Sequence, residues 1–402
     1  MNLSLKRYFW ITFLYFFSGM PLGFFYTFLP VFFRSQGVDL VQIGLLSSAG
    51  IFWSLKPLWA PLVDAYGVKS RWMGFSLLGI SLSIALITMN TTHINYLFLS
   101  LLILTFFSAL FDTALDGFLI DYIPREEYGK ANGLRLSAYR LALIFSGGIL
   151  TALSGYLNFT LIFYLLSFLT GLSGLIILLN PSLSLAKRER RNYSIRALYW
   201  EPLKEIVSRE RVFLLLLFIA TYKIGDALLG GMIYPFWVDR GFTRVEIGLI
   251  SGTLGSVFSI LGSLLGGYIT SKWGIKKSLL ILGALQAFSN LGYAIAAIPF
   301  LDKRAVYIAS ILESFTGGLG TAAFLTFLTN LCHQRFSSSH YALFSTLFSI
   351  TLVISRTISG FGAKYLGYSL FFSLTFVIAL LPLVLIPFLF KEKIEKNTGY
   401  GR

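Results

Sequence analysis

The chain has 402 residues, 56% hydrophobic and 17% aromatic but only 13% charged, whereas a water-soluble domain carries about 25% charged residues, so an all-aqueous surface is excluded. The single Cys332 excludes an internal disulfide framework and a multi-cysteine metal site. A net charge of +15 would point to nucleic acid in a soluble protein, so where the charges fall along the chain decides what they mean.

After Lys6-Arg7 comes an uncharged run from Tyr8 to Phe33, 26 residues long. It exceeds a signal-peptide core and reads as an uncleaved first spanning helix. Crossing a bilayer takes about 20 apolar residues. Eleven more stretches qualify: 41–63, 72–89, 95–121, 131–153, 159–179, 212–238, 246–270, 278–299, 305–330, 341–366 and 368–390. Turn-forming residues at Asn90-Thr91-Thr92-His93 and Gly155-Tyr156-Leu157-Asn158 divide the longest apolar runs. The expected fold is therefore all-α and membrane-embedded, with twelve transmembrane helices in two six-helix bundles. The bundles are predicted at 1–180 and 212–402, joined by a basic linker at 181–211 that contains Lys187-Arg-Glu-Arg-Arg191.

With the N-terminus placed inside, 22 Lys and Arg fall on inner segments and six on outer loops. This asymmetry predicts that both termini and the linker are cytoplasmic. It also accounts for the positive charge without nucleic acid, because basic loops lie beside anionic headgroups.

The two halves repeat. Gln36-Gly-Val-Asp-Leu-Val-Gln-Ile-Gly-Leu-Leu46 aligns with Arg240-Gly-Phe-Thr-Arg-Val-Glu-Ile-Gly-Leu-Ile250, and both join the first two helices of a half. Tyr66-Gly-Val-Lys69 likewise aligns with Trp273-Gly-Ile-Lys276. Repeated halves with a solute site near the midplane are a transporter architecture.

The loop Pro61-Leu-Val-Asp64-Ala-Tyr-Gly67-Val-Lys69-Ser-Arg71 resembles the cytoplasmic loop motif of the major facilitator superfamily, with Pro61 where the motif has Gly. By that resemblance Asp64, Lys69 and Arg71 are gating residues that latch the inner side. Further segments are similar to the muropeptide permease (AmpG) branch, to which acetyl-CoA transporters are related. They are Ser18-Gly-Met-Pro-Leu-Gly23, Lys56-Pro-Leu-Trp-Ala-Pro-Leu-Val-Asp64, the series Asp112, Asp116 and Asp121, Tyr139-Arg140, Ser146-Gly-Gly148, Tyr222-Lys223-Ile-Gly-Asp226 and Glu313 to Phe324. The resemblance implies a fold of two pseudo-symmetric bundles, proton coupling, import of anionic muropeptides in peptidoglycan recycling and a bacterial inner-membrane location. Some bacterial members carry two extra helices beyond the twelve predicted here.

Nine ionisable residues lie inside predicted helices: Lys56, Asp112, Asp116, Arg135, Arg140, Lys223, Asp226, Glu313 and Arg356. Unrelieved, they would cost on the order of 20–30 kcal/mol on insertion scales, so they must meet water or each other. None falls on the third, sixth, ninth or twelfth helix, which in the superfamily are peripheral and lipid-facing. Counting along the helices places Asp112 level with Arg140 and Asp116 level with Arg135, predicting two ion pairs that hold or gate the inner side. Lys223 and Asp226, three residues apart, can satisfy each other. Lys56, Arg140, Lys223 and Arg356 are candidate solute-binding cations, Tyr139, Tyr222 and Tyr234 candidate sugar contacts, and Asp226 and Glu313 candidate proton carriers. The structural counterpart of each is an ion pair or ordinary packing.

No nucleotide loop, zinc motif or nucleophile motif is present, and His93, His333 and His340 lie near loops, so no enzyme, cofactor or metal is expected. The expected partners are a small solute, protons and lipid, with the chain acting as a monomer. An acetyl-CoA or other anionic-solute carrier of the same superfamily is the alternative; a channel or membrane enzyme fits the repeated halves less well.

Overall fold

A computed structural model of the chain describes residues 3–60, 63, 68–89, 94–122, 128–183, 195–331 and 337–390. All regular structure among them is helical. In chain order the main helices are α1 (Lys6–Ser35), α2 (Leu40–Ser47), α3 (Lys69–Met89), α4 (Ile94–Tyr122), α5 (Tyr128–Leu143), α6 (Phe159–Leu179) and α7 (Ile195–Val207). They continue as α8 (Val212–Asp239), α9 (Arg244–Trp273), α10 (Ile275–Ala296), α11 (Lys303–Asn330), α12 (Ser337–Leu366) and α13 (Tyr368–Leu389).

Ten of the twelve predicted stretches are described helices long and apolar enough to cross a bilayer. The other two differ for local reasons. The 41–63 stretch is helical only to Ser47 and then winds as 3₁₀ turns, Ser48–Trp53 and Lys56–Leu58, where Pro57 removes a backbone donor. In the 131–153 stretch, α5 continues through a π turn, Ile144–Ile149, and its apolar part is only Ser137–Leu153.

The chain forms two units, residues 1–190 with 237–253, and residues 191–236 with 254–402. Within the first, α1 packs on α5, and α3 packs between α4 and α6. Within the second, α10 packs between α11 and α13, and α9 packs on α11. With no hydrophobic drive between helices in lipid, small residues let backbones approach. Gly19 and Gly23 of α1 face α5, where a Cβ at 19 would lie 2.6 Å from the Tyr139 carbonyl. Gly262 and Gly266 of α9 face α11, where a Cβ at 266 would lie 2.6 Å from the Leu319 carbonyl. Large apolar side chains remain exposed along α6 (Leu161, Leu165, Leu172, Leu179) and α13 (Leu370, Leu374, Leu381, Phe388), as lipid-facing helices require.

The repeated loops adopt the same local structure. Gly37 and Gly241 both take positive φ, 80° and 73°, which glycine does without steric cost. Their amides bond Arg34 and Val238 carbonyls at 3.0 and 2.9 Å. Two residues on, Asp39 and Thr243 each cap the next helix through a side-chain oxygen.

Candidate functional site

In the first unit the charges gather on one stripe of α4. Thr105, Ser108 and Asp112, spaced at i, i+3 and i+7, face the 3₁₀ segment that follows α2. The Thr105 hydroxyl donates to the Ala49 carbonyl at 2.6 Å, and the Trp53 indole donates to Ser108 at 3.1 Å. Lys56 Nζ then meets Asp112 Oδ2 at 2.5 Å. The broken second span thus carries Lys56 across to α4. Ser18 of α1 donates to the other Asp112 oxygen at 2.5 Å, and Asp112 is buried.

One turn on, Asp116 meets Arg135 of α5 at 2.9 Å and accepts from the Tyr15 hydroxyl at 3.0 Å. The Arg135 guanidinium also lies 4.7 Å over the Tyr15 ring. Unlike Asp112, Asp116 has half of its side chain exposed. The expected Asp116–Arg135 pair is present, but the expected Asp112–Arg140 pair is not. Counting residues from helix ends gives depth but not rotation about the axis, and Asp112 is satisfied by Lys56 and Ser18 instead. Among the described residues, Arg140 is half-buried with no ion-pair partner. Tyr139 packs against Gly19. Lys69 lies along Gly117, its Nζ 2.8 Å from where a Cβ would sit, and Arg71 is exposed. Asp64 lies outside the described residues.

In the second unit α8 is interrupted in mid-span. Its helical pieces are Val212–Thr221 and Ile224–Asp239, with Tyr222 and Lys223 at the break. Lys223, 6% exposed, donates to Asp226 Oδ2 at 3.1 Å and to Gln286 Oε1 of α10 at 2.6 Å. The Gln286 amide nitrogen in turn donates to Asp226, closing a three-membered ring of bonds. Asn290, one turn beyond Gln286, is fully buried. Glu313 of α11 is half-buried, and Gly317, one turn along the same helix, lies beside both Glu313 and Gln286. A Cβ at 317 would lie 3.6 Å from Glu313 Oε1 and 3.9 Å from Gln286 Nε2.

Tyr222 belongs to the core of this unit. Its hydroxyl donates to the Leu279 carbonyl at 3.0 Å and its ring stacks on Phe324, centroids 5.1 Å apart. Tyr234 is half-buried on α8. Arg356 lies where α12 crosses α8: a Cβ at Gly231 would come within 3.2 Å of the Arg356 Cα.

Tyr15, Ser18 and Gln286 carry no net charge, so nothing in the charge pattern of the sequence marks them as partners of Asp116, Asp112 and the Lys223–Asp226 pair. What marks α10 in the sequence is two carboxamides, Gln286 and Asn290, one turn apart within its mostly apolar middle, where a polar side chain needs a partner. A further ion pair, Arg34 Nε to Asp239 Oδ1 at 2.5 Å, ties together the two repeat-equivalent loops. Nearby, Arg244 donates to the Ser154 carbonyl at 2.6 Å and lies over the Phe159 ring.

The sequence profile of the Major Facilitator Superfamily matches residues 11–301 and 222–399. The chain is 28% identical to "Putative transporter AmpG 4" of Rickettsia felis, over 93% of this chain and 94% of that protein. It is equally 28% identical to the "Anhydromuropeptide permease" of Escherichia coli, over 92% of this chain and 77% of that protein. Among solved structures, the nucleoside transporter NupG superposes with a TM-score of 0.73 at 16% identity, covering 100% of both chains. A bacterial homolog of the human lysosomal transporter Spinster, inward-facing and unoccupied, superposes with a TM-score of 0.76 at 14% identity, covering 95% of each.

Proposed function

Because the chain belongs to the major facilitator superfamily, we propose that it is a proton-coupled importer of an anionic organic solute, with anhydromuropeptides of peptidoglycan recycling as the substrate. The observation that carries this is the Lys223–Asp226–Gln286 ring at the break in α8, with Glu313 close by. Interrupted spanning helices are where transporters of this kind place solute and coupling-ion sites. A buried lysine held by a carboxylate can exchange that partner for a solute carboxylate, and the released aspartate can then take a proton.

Import of an anion against an inside-negative potential costs about 2.3 kcal/mol per charge per 100 mV. Each co-transported proton offsets one such charge, and Asp226 and Glu313 are the proposed carriers. Lys223, Arg356, Lys56 and the half-buried Arg140 supply cations for solute carboxylates. Tyr139 and Tyr234 offer faces for sugar rings, while Tyr222 backs the site from the core. Asp64, Lys69, Arg71, Asp112, Asp116 and Arg135 govern closure of the inner side. The architecture of this reading is twelve helices in two pseudo-symmetric six-helix halves, 1–180 and 212–402, acting as a monomer in a bacterial inner membrane with both termini cytoplasmic. The names of the sequence relatives support the substrate class.

The test is uptake by proteoliposomes. Labelled anhydromuropeptide should accumulate faster with an acidic exterior, and accumulation should collapse with an uncoupler. Glu313→Gln should uncouple transport from the gradient, and Lys223→Gln or Arg356→Gln should weaken binding. Protein that moves an acyl-CoA and ignores anhydromuropeptides would overturn the substrate assignment.

A further inference from the structure

We infer that the linker helix α7 is an interfacial anchor whose outer stripe, Trp200, Leu203 and Val207, docks into the headgroup region of an anionic lipid leaflet. The helix is fastened to the second unit along one side only. Ile206 is buried in that unit's hydrophobic cluster together with Leu215, Leu328 and Phe344. Just beyond the helix, Arg209 donates to the Glu205 carboxylate at 2.9 Å and to the Leu331 carbonyl at 2.8 Å. Its guanidinium also meets Nδ1 of the fully buried His340 at 3.3 Å and lies 5.8 Å from the centre of the Phe344 ring. The other His340 nitrogen sits 3.2 Å from Glu205. This clasp fixes which way the helix faces.

The stripe it turns outward is apolar. Trp200, Leu203 and Val207, spaced by three and four residues, are 57%, 39% and 59% exposed. Such a row on one helix face is the pattern of a helix lying in a membrane interface, and tryptophan is enriched at that depth. The charges agree: Lys204 is exposed, and the segment before the helix contains Lys187-Arg-Glu-Arg-Arg191. Lys204, a basic group beside an apolar stripe, matches anionic headgroups. Continuity points the same way, since α8 starts five residues after Val207 and opens with Phe213, 77% exposed on a membrane span. Three side chains are too few for a protein partner, whose stable interfaces take roughly 20–30 residues a side.

Anchoring α7 sets the depth at which α8 enters the bilayer. Lys223 lies twelve residues beyond Arg211, roughly 18 Å at 1.5 Å per residue, which brings it near the middle of the hydrocarbon layer.

The test uses full-length protein in a Cys332→Ser background, with a nitroxide on Leu203→Cys or Val207→Cys and on Glu201→Cys as the aqueous control. Phe213→Cys serves as the lipid control. In phosphatidylglycerol vesicles, the ratio of collisions with oxygen to collisions with a water-soluble nickel chelate should be several-fold higher at 203 and 207 than at 201, approaching that at 213. The ratio at 203 and 207 should fall when phosphatidylcholine replaces phosphatidylglycerol. Ratios at 203 and 207 equal to that at 201 would overturn the anchor. Spin–spin broadening there that grows with protein density would assign the stripe to a second copy instead and overturn it equally.

Discussion

Asp112 and Asp116 stand one helical turn apart on α4 and both meet a cation, yet their surroundings give them different parts. Asp112 is buried, with both oxygens engaged by Lys56 and Ser18. Removing its charge leaves Lys56, about a third of whose side chain is exposed, without its partner, a loss larger than that of a fully exposed pair and smaller than the several kcal/mol of a fully buried one. Asp116 and Arg135 are exposed to 50% and 40%, and exposed pairs are worth roughly 0–1 kcal/mol. Asp112→Asn should therefore lower the melting temperature by several degrees, while Asp116→Asn and Arg135→Gln leave it nearly unchanged. If the exposed pair gates, those two variants should still slow transport and alter cysteine accessibility on the inner side. Unchanged rates and labelling in both would remove the gating role. Gln286 offers a second contrast. Gln286→Leu keeps the volume but takes a bond from each of Lys223 and Asp226, leaving buried polar groups short of a partner at about 1–3 kcal/mol. A melting temperature equal to that of the parent protein would show that the ring is not a structural unit.

At the scale of elements, close glycine contacts carry helix pairs that hydrophobicity cannot drive in lipid. The α9–α11 contact has Gly262 and Gly266 against Phe315 and Leu319 backbone. Gly266→Leu should push these helices apart and sharply reduce the yield of monodisperse protein, whereas Gly267→Leu, where a Cβ meets open space, should not. Equal yields would mean that the contact tolerates separation. The break in α8 at Tyr222-Lys223 is of another kind, a local loss of helix that puts a cation and its partners in mid-span.

For the whole molecule, the uneven Lys and Arg distribution is the basis for orientation. With Cys332 replaced by Ser, cysteines at positions 190 and 397 should resist an impermeant thiol reagent applied to intact cells and react after permeabilisation. Ready labelling from outside would reverse the topology.

Hydropathy is a local property, and so the ten long spans, the repeated Gly37 and Gly241 loops and the choice of helices that carry ions were all legible in the order of residues. Partnership is not local. That Asp112 meets Lys56 rather than Arg140 depends on how α4 is rotated and on a proline-interrupted segment folding back to it. That Gln286 completes a ring with Lys223 and Asp226 depends on α10 lying against the break in α8, and a neutral carboxamide announces nothing until its neighbours are in place. The linker shows the same division. Its basic composition was evident, but which face of α7 turns outward was decided by the clasp of Arg209, Glu205 and His340, residues up to 135 positions apart that only the packed structure brings into contact.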